Sequence, residues 1–128
     1  MFKAKNKSTI DSLIGASTNI EGDIHFKGGL RIDGRVKGNV IAEAGSASIL
    51  VISEQAVIDG EVRAGHVVVN GVINGPVIST ELIELQSKAR ISGDVHYKAL
   101  EMMNGALVSG KLAHDQVAEP VLKLAASN

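Results

Sequence analysis

The sequence predicts an all-β, single-domain parallel β-helix, a β-solenoid of about six coils of about 17–18 residues each. Three observations carry this. Apolar or small residues recur at every second position through most of the chain, the period of a strand with one face turned inward. The pattern returns at a longer, nearly fixed interval, as stacked repeats do. The 45% hydrophobic content comes almost wholly from small and branched aliphatics alongside 14 glycines, with aromatics at only 2%. A core assembled without large rings is narrow and repetitive.

The chain opens with Met1-Phe2-Lys3-Ala4-Lys5-Asn6-Lys7, and residues 1–14 are expected to form a flexible leader. Residues 15–113 are expected to form the β-helix. Ile20, Gly22 and Ile24 are a partial first copy of the repeat. Leu30, Ile32, Gly34, Val36, Gly38 and Val40 follow as an eleven-residue template, which returns as Val67, Val69, Gly71, Ile73, Gly75 and Val77. A template two residues longer reads Leu50, Ile52, Glu54, Ala56, Ile58, Gly60 and Val62. It recurs as Ile83, Leu85, Ser87, Ala89, Ile91, Gly93 and Val95, and again as Leu100, Met102, Asn104, Ala106, Val108, Gly110 and Leu112.

The apolar residues that close the copies, Ile24, Val40, Val62, Val77, Val95 and Leu112, are separated by 16, 22, 15, 18 and 17 residues, a mean of 17.6. A coil of that length cannot bury an apolar face alone, so each stacks on the next. At a strand spacing of roughly 4.8 Å the rod is about 25–30 Å long. Asp33–Gly34, Asp59–Gly60, Asn70–Gly71, Asn74–Gly75 and Asn104–Gly105 mark corners, because both residue types tolerate positive φ. Such pairs also make hairpin turns. The strands around Val36 and Ile73 are, however, only three residues long, too short to hold an antiparallel ladder. The one wide interval falls on Ile41–Ile49, whose small and polar residues read as a loop inserted at a corner. Residues 114–128 place Val117, Val121, Leu122 and Leu124 around Pro120, too few apolar positions for an independent helix, and are expected to be a flexible tail.

The chemistry-bearing residues point away from catalysis. There is no cysteine, hence no disulfide or thiolate metal site, and a reducing compartment is expected. No apolar run approaches membrane-spanning length, and no secretory signal is evident. A net charge of −1 with so few aromatics lacks both the basic footprint and the stacking platforms of nucleic-acid binding. A left-handed hexapeptide β-helix, the scaffold of many acyltransferases, needs an aliphatic residue at every sixth position. From Ile24 that register passes Leu30 and Val36, then fails at Ala42 and Ser48. His25 and His96 follow equivalent closing residues, but three intervening coils put them about 14 Å apart, too far to share one metal ion. Asp23, Asp33, Asp59 and Asp94 each adjoin a glycine and read as turn residues. No enzyme activity, cofactor or metal is expected.

The segments Ser12–Gly15, Ile20-Glu-Gly-Asp-Ile24, Leu30-Arg-Ile-Asp-Gly34 and Val36-Lys-Gly-Asn-Val40 resemble the bactofilins, the bacterial polymer-forming cytoskeletal family. The similarity extends from about Ile10 to Leu112. It implies a right-handed, three-sided β-helix that joins end to end, without nucleotide, into filaments under the cytoplasmic membrane, as a scaffold for cell shape or protein localisation. It also implies a membrane-binding leader, here Met1, Phe2, Lys3, Lys5 and Lys7. Related chains often carry a phenylalanine in the last coil that serves polymerisation, whereas this one has Met102, Met103, Leu107 and Leu112 there.

An uncapped solenoid end exposes unpaired strand edges over an apolar cross-section. The polymer interface is therefore expected at Ile20 and Ile24 on one end and at Leu107, Val108 and Leu112 on the other; the alternative is a monomeric solenoid binding platform whose tails fold over its ends. The expected partners are further copies of the chain, membrane lipids at the cytoplasmic face, and cell-wall or polar client proteins.

Overall fold

A computed structural model describes residues 9–115. They contain strands only, wound into six three-sided coils. Coil 1 is β1 (Ile10–Ile14), β2 (Asn19–Glu21) and β3 (Ile24–Phe26), and coil 2 is β4 (Gly28–Ile32), β5 (Arg35–Lys37) and β6 (Val40–Ala42). Coil 3 follows with β7 (Ser48–Ile52), β8 (Val57–Asp59) and the first part of β9 (Val62–Val69). The rest of β9, β10 (Val72–Asn74) and the first part of β11 (Val77–Leu85) make coil 4. The rest of β11, β12 (Arg90–Ile91) and β13 (Val95–Tyr97) make coil 5, and β14 (Ala99–Met102), β15 (Leu107–Val108) and β16 (Leu112–His114) make coil 6. Every pairing is parallel. Because β9 and β11 bend around a corner without a break, two of the three faces join into one sheet.

The repeat read from the sequence is the repeat of the core. On the first face Ile14, Ile32, Ile52, Val69, Leu85 and Met102 lie in register, beside a second column through Leu30, Leu50, Val67, Ile83 and Leu100. The second face stacks Ile20, Val36, Ile58, Ile73, Ile91 and Val108. The third stacks Ile24, Val40, Val62, Val77, Val95 and Leu112. In coils 2 to 5 these inward residues are at most 4% exposed. Ile32, Val36, Val69 and Ile73 are wholly buried and Ile91 is nearly so, as the alternation requires.

The two template lengths differ at one corner. In the longer copies a four-residue turn joins the first two faces, closed by Ala56 N–H donating to Ser53 O at 3.0 Å and by Ala89 N–H donating to Gln86 O at 3.0 Å. The shorter copies cut the corner at Gly34 and Gly71. Gly34 is required for space, with no left-handed φ: a Cβ there would lie 2.4 Å from the carbonyl oxygens of both Gly15 and Thr18 in the coil beside it. This corrects the reading of Asp33–Gly34 and Asn70–Gly71 as positive-φ corners. Asp33 instead caps the corner through its side chain, accepting a hydrogen bond from Arg31 Nε at 2.8 Å. Hydrogen bonds from Ser53 and from Arg31 hold its carboxyl below the usual range.

The next corner carries one glycine per coil, Gly22, Gly38, Gly60, Gly75, Gly93 and Gly110. From Gly38 onward, a Cβ would fall 2.1–2.4 Å from the carbonyl oxygen of the preceding glycine in the stack. Residues just after these glycines tie the coils together. Asp23 Oδ1 accepts from Asn39 N at 2.8 Å, Asn39 Oδ1 from Glu61 N at 2.9 Å, and Asp94 Oδ1 from Lys111 N at 2.9 Å.

The strand β1 extends the fold beyond the sequence reading. Ile10–Ile14 falls within the segment assigned to the leader, yet it pairs with β4 and supplies the first face of coil 1. It is hard to see in sequence because Ser12 takes a position held by leucine in the next two coils, and the register shifts between Ile10 and Ser12. At the other end β16 runs to His114, one residue past the expected boundary. The loop between β6 and β7 is exposed and leaves the stacking undisturbed.

Candidate assembly surfaces

Both ends of the rod are open on all three sides among the described residues. On coil 1, β1, β2 and β3 pair only with coil 2, and on coil 6, β14, β15 and β16 pair only with coil 5. Each outer strand therefore presents a row of backbone groups without a protein partner beside an apolar interior.

The side chains there continue the interior columns without being covered. Val95 is wholly buried, while Leu112 in the next coil of its column is 44% exposed. Leu85 is 1% exposed and Met102, next in its column, 45%. Leu100 and Val108 are half-buried, and Ala106 closes the corner between them. This end is therefore a triangular patch of Leu100, Met102, Val108 and Leu112 with no charged side chain in its inward columns. The opposite end presents Ile14, Ile20, Ile24 and Phe26, all half-buried and packed against the core.

Of the residues expected at the interface, Ile20, Ile24, Val108 and Leu112 thus lie in the end columns. Leu107 does not. It pairs with Arg90 on the outer surface, one residue out of phase with Val108, and is 59% exposed on the flank of the last coil. The sequence reading passed over Leu100, Met102 and Ile14, although the repeat that places Val108 beneath Ile91 also places Met102 beneath Leu85. The leader residues Met1, Phe2, Lys3, Lys5 and Lys7 lie outside the described residues.

Among the described residues no other cluster competes with these ends. His25 and His96 occupy one outward column four strand spacings apart, about 19 Å, further than the sequence spacing suggested. His66 Nε2 meets Glu84 Oε2 at 2.7 Å on the outside of the first face. Among the described residues no three histidine, cysteine or acidic side chains are placed to share a metal ion. A shallow depression at the loop corner is lined by Glu43, Gly45, Ser46, Arg63 and Thr80.

Residues 12–113 match a protein-family model, Bactofilin, described as polymer-forming cytoskeletal. The chain belongs to the bactofilin family. Two curated bactofilins of Myxococcus xanthus are similar. Bactofilin BacO is 24% identical over 114 residues, covering 89% of this chain and 87% of that one. Bactofilin BacP is 27% identical over 106 residues, covering 82% of this chain and 42% of that longer protein. Among solved structures, the cryo-EM reconstruction of double helical filaments of Thermus thermophilus bactofilin aligns at a TM-score of 0.71 and 30% identity, covering 78% of this chain and 95% of that one. The family is a polymer-forming cytoskeletal one, structural and not enzymatic.

Proposed function

We propose that this bactofilin polymerises end to end through its terminal coils, without nucleotide, and that the filaments lie on the inner face of the cytoplasmic membrane as a scaffold for cell shape or protein localisation. The observation that carries the reading is the change along each apolar column: inward residues are buried through coils 2 to 5, then Leu112 and Met102 are 44% and 45% exposed at the end. A subunit stacked on coil 6 would cover these side chains and pair the open edges of β14, β15 and β16. Whichever ends meet, every addition leaves another open end, so the assembly grows as a fibre and does not close.

Membrane attachment would come from the leader. Each of Lys3, Lys5 and Lys7 near an anionic leaflet contributes about 1 kcal/mol, and burial of Phe2 with part of Met1 roughly 2–3 kcal/mol. One leader then binds only at about 0.1 mM, whereas a filament presents many at high effective concentration. Attachment on this reading depends on polymerisation. Negative-stain electron microscopy of purified protein, with Leu112→Arg beside it, tests assembly. Filaments from the parent chain and folded single subunits from the variant are expected, and equal filaments from both would reject contact through coil 6.

A further inference from the structure

The column through Ile14, Ile32, Ile52, Val69 and Leu85 is aliphatic until its last member, Met102, where a thioether stands at the open end of the rod. Its neighbour Met103 begins the following turn, with its N–H donating to Leu85 O at 2.8 Å, and is 58% exposed on the outside. Two adjacent sulfurs therefore occupy different places, one in the end face and one on the flank.

We propose that Met102 is an oxidation site through which peroxides control polymerisation, the sulfoxide form of the subunit being unable to add to a filament. The proposal rests on the end-to-end reading above. The sulfur attacks one oxygen of hydrogen peroxide; an S–O bond forms as the O–O bond breaks, and the departing hydroxide takes the proton from the new sulfur-bound hydroxyl, leaving as water and the sulfur as sulfoxide. Sulfur gives up two electrons and the peroxide is reduced. The product is a polar sulfoxide that reductases of the methionine sulfoxide class can return to the thioether.

The consequence follows from the surroundings of Met102. Leu100, Val108 and Leu112, which share its end face, offer no donor to a sulfoxide oxygen, so stacking a subunit on this face would bury a new acceptor against apolar columns. That penalty corresponds to a rise in critical concentration of about tenfold or more. A sulfoxide at Met103 stays in water and leaves the contact unchanged. Every interior subunit of an end-to-end polymer has its last coil covered whichever end it meets. Met102 is thus open in the free subunit and shielded in the filament, and the oxidant acts on the unassembled pool.

The test treats dilute subunits and preformed filaments with hydrogen peroxide, maps oxidation by peptide mass spectrometry, and measures pelleting of each variant against its own untreated form. In free subunits Met102 and Met103 should oxidise at comparable rates; in filaments Met103 should react about tenfold faster, in line with the burial of its neighbour. Oxidised parent subunits should stop pelleting with an unchanged far-ultraviolet spectrum, Met103→Leu should remain sensitive, and Met102→Leu should become resistant although it retains Met1 and Met103. Pelleting that survives full oxidation of Met102, or equal sensitivity of Met102→Leu and the parent, overturns the proposal. If Leu112→Arg assembles normally, the end-to-end reading itself fails; if Leu112→Arg blocks assembly while the sulfoxide does not, only the oxidation site is lost.

Discussion

Substituting Gly93 by alanine tests the corner column of stacked glycines. The backbone of Gly93 is not in the left-handed region, so alanine can adopt its conformation and the effect is purely one of space. The added Cβ would lie 2.4 Å from Gly75 O and 2.6 Å from Gly75 C, both well inside the 3.0 Å that real Cβ contacts respect. The obstacle is backbone, which cannot rotate aside as a side chain would. Coils 4 and 5 must therefore separate locally, at the point where Val77 N–H donates to Asp94 O at 2.9 Å. Overpacking typically costs 1–3 kcal/mol, and with rigid atoms on both sides the upper end applies, about 3 kcal/mol. For a domain of this size that lowers the melting temperature by roughly 12–20 °C. Urea unfolding followed by far-ultraviolet circular dichroism, at a concentration too low for assembly, reads the loss without a contribution from polymerisation. Gly15→Ala is the matched control. Nothing lies within 4 Å of its Cβ and its φ is not left-handed, so it should be neutral or stabilise by about 0.4–1 kcal/mol. If Gly93→Ala is as stable as Gly15→Ala, the carbonyl stack is not what selects glycine at this corner.

Truncating Ile58 or Ile73, wholly buried in the middle of the second-face column, should cost about 2–4 kcal/mol in the same unfolding experiment, and near-neutral values at both would contradict the register. Ile20→Arg, like Leu112→Arg, should abolish filaments while leaving the β-rich spectrum intact, because a charge would be buried against the facing subunit; sedimentation of both variants decides. In pelleting with anionic liposomes, Phe2→Ala with Lys3, Lys5 and Lys7 neutralised should give filaments that stay in solution, and Leu112→Arg with its leader intact should pellet poorly. Equal pelleting of the non-assembling variant would refute attachment through many weak contacts. The lowered carboxyl pKa of Asp33 makes its contribution to stability full above the unfolded value of about 3.9 and lost as pH falls through the lower folded value. Asp33→Asn should therefore be less stable than the parent near neutral pH, with the gap narrowing below about pH 4; a gap that widens in acid would contradict the assignment.

The core was legible because stacking forces each coil to repeat its inward residues at the same places. Val36, Ile58, Ile73 and Ile91 could be aligned without coordinates, and the structure pairs them. What was missed lies where the repeat carries less information. β1 replaces an aliphatic with Ser12 and shifts register, so alternation alone could not separate it from the leader. Leu107 was taken for an end residue because apolar character does not say which side of a strand a residue occupies; a shift of one position exchanges core and surface. Met102 was present in the aligned template, but its significance depends on its exposure at the last coil of the described residues, which is a matter of burial. The corner glycines illustrate a different limit: Asp-Gly and Asn-Gly announce a turn, yet at Gly34 and Gly71 the reason for glycine is a carbonyl in the next coil.

The strands of every coil run across the rod, so the hydrogen bonds between coils point along it. Tension along the axis then loads all the bonds between two neighbouring coils at once, on three sides, and none can be unzipped ahead of the others. Inside a subunit these bonds are reinforced by the covalent chain winding from coil to coil. At a junction between subunits only the noncovalent part exists. On the end-to-end reading proposed above, a stretched or sharply bent polymer would fail at its junctions, leaving whole folded subunits with fresh ends ready to rejoin, and its breaking strength would be set by the edge hydrogen bonds and apolar side chains of coils 1 and 6.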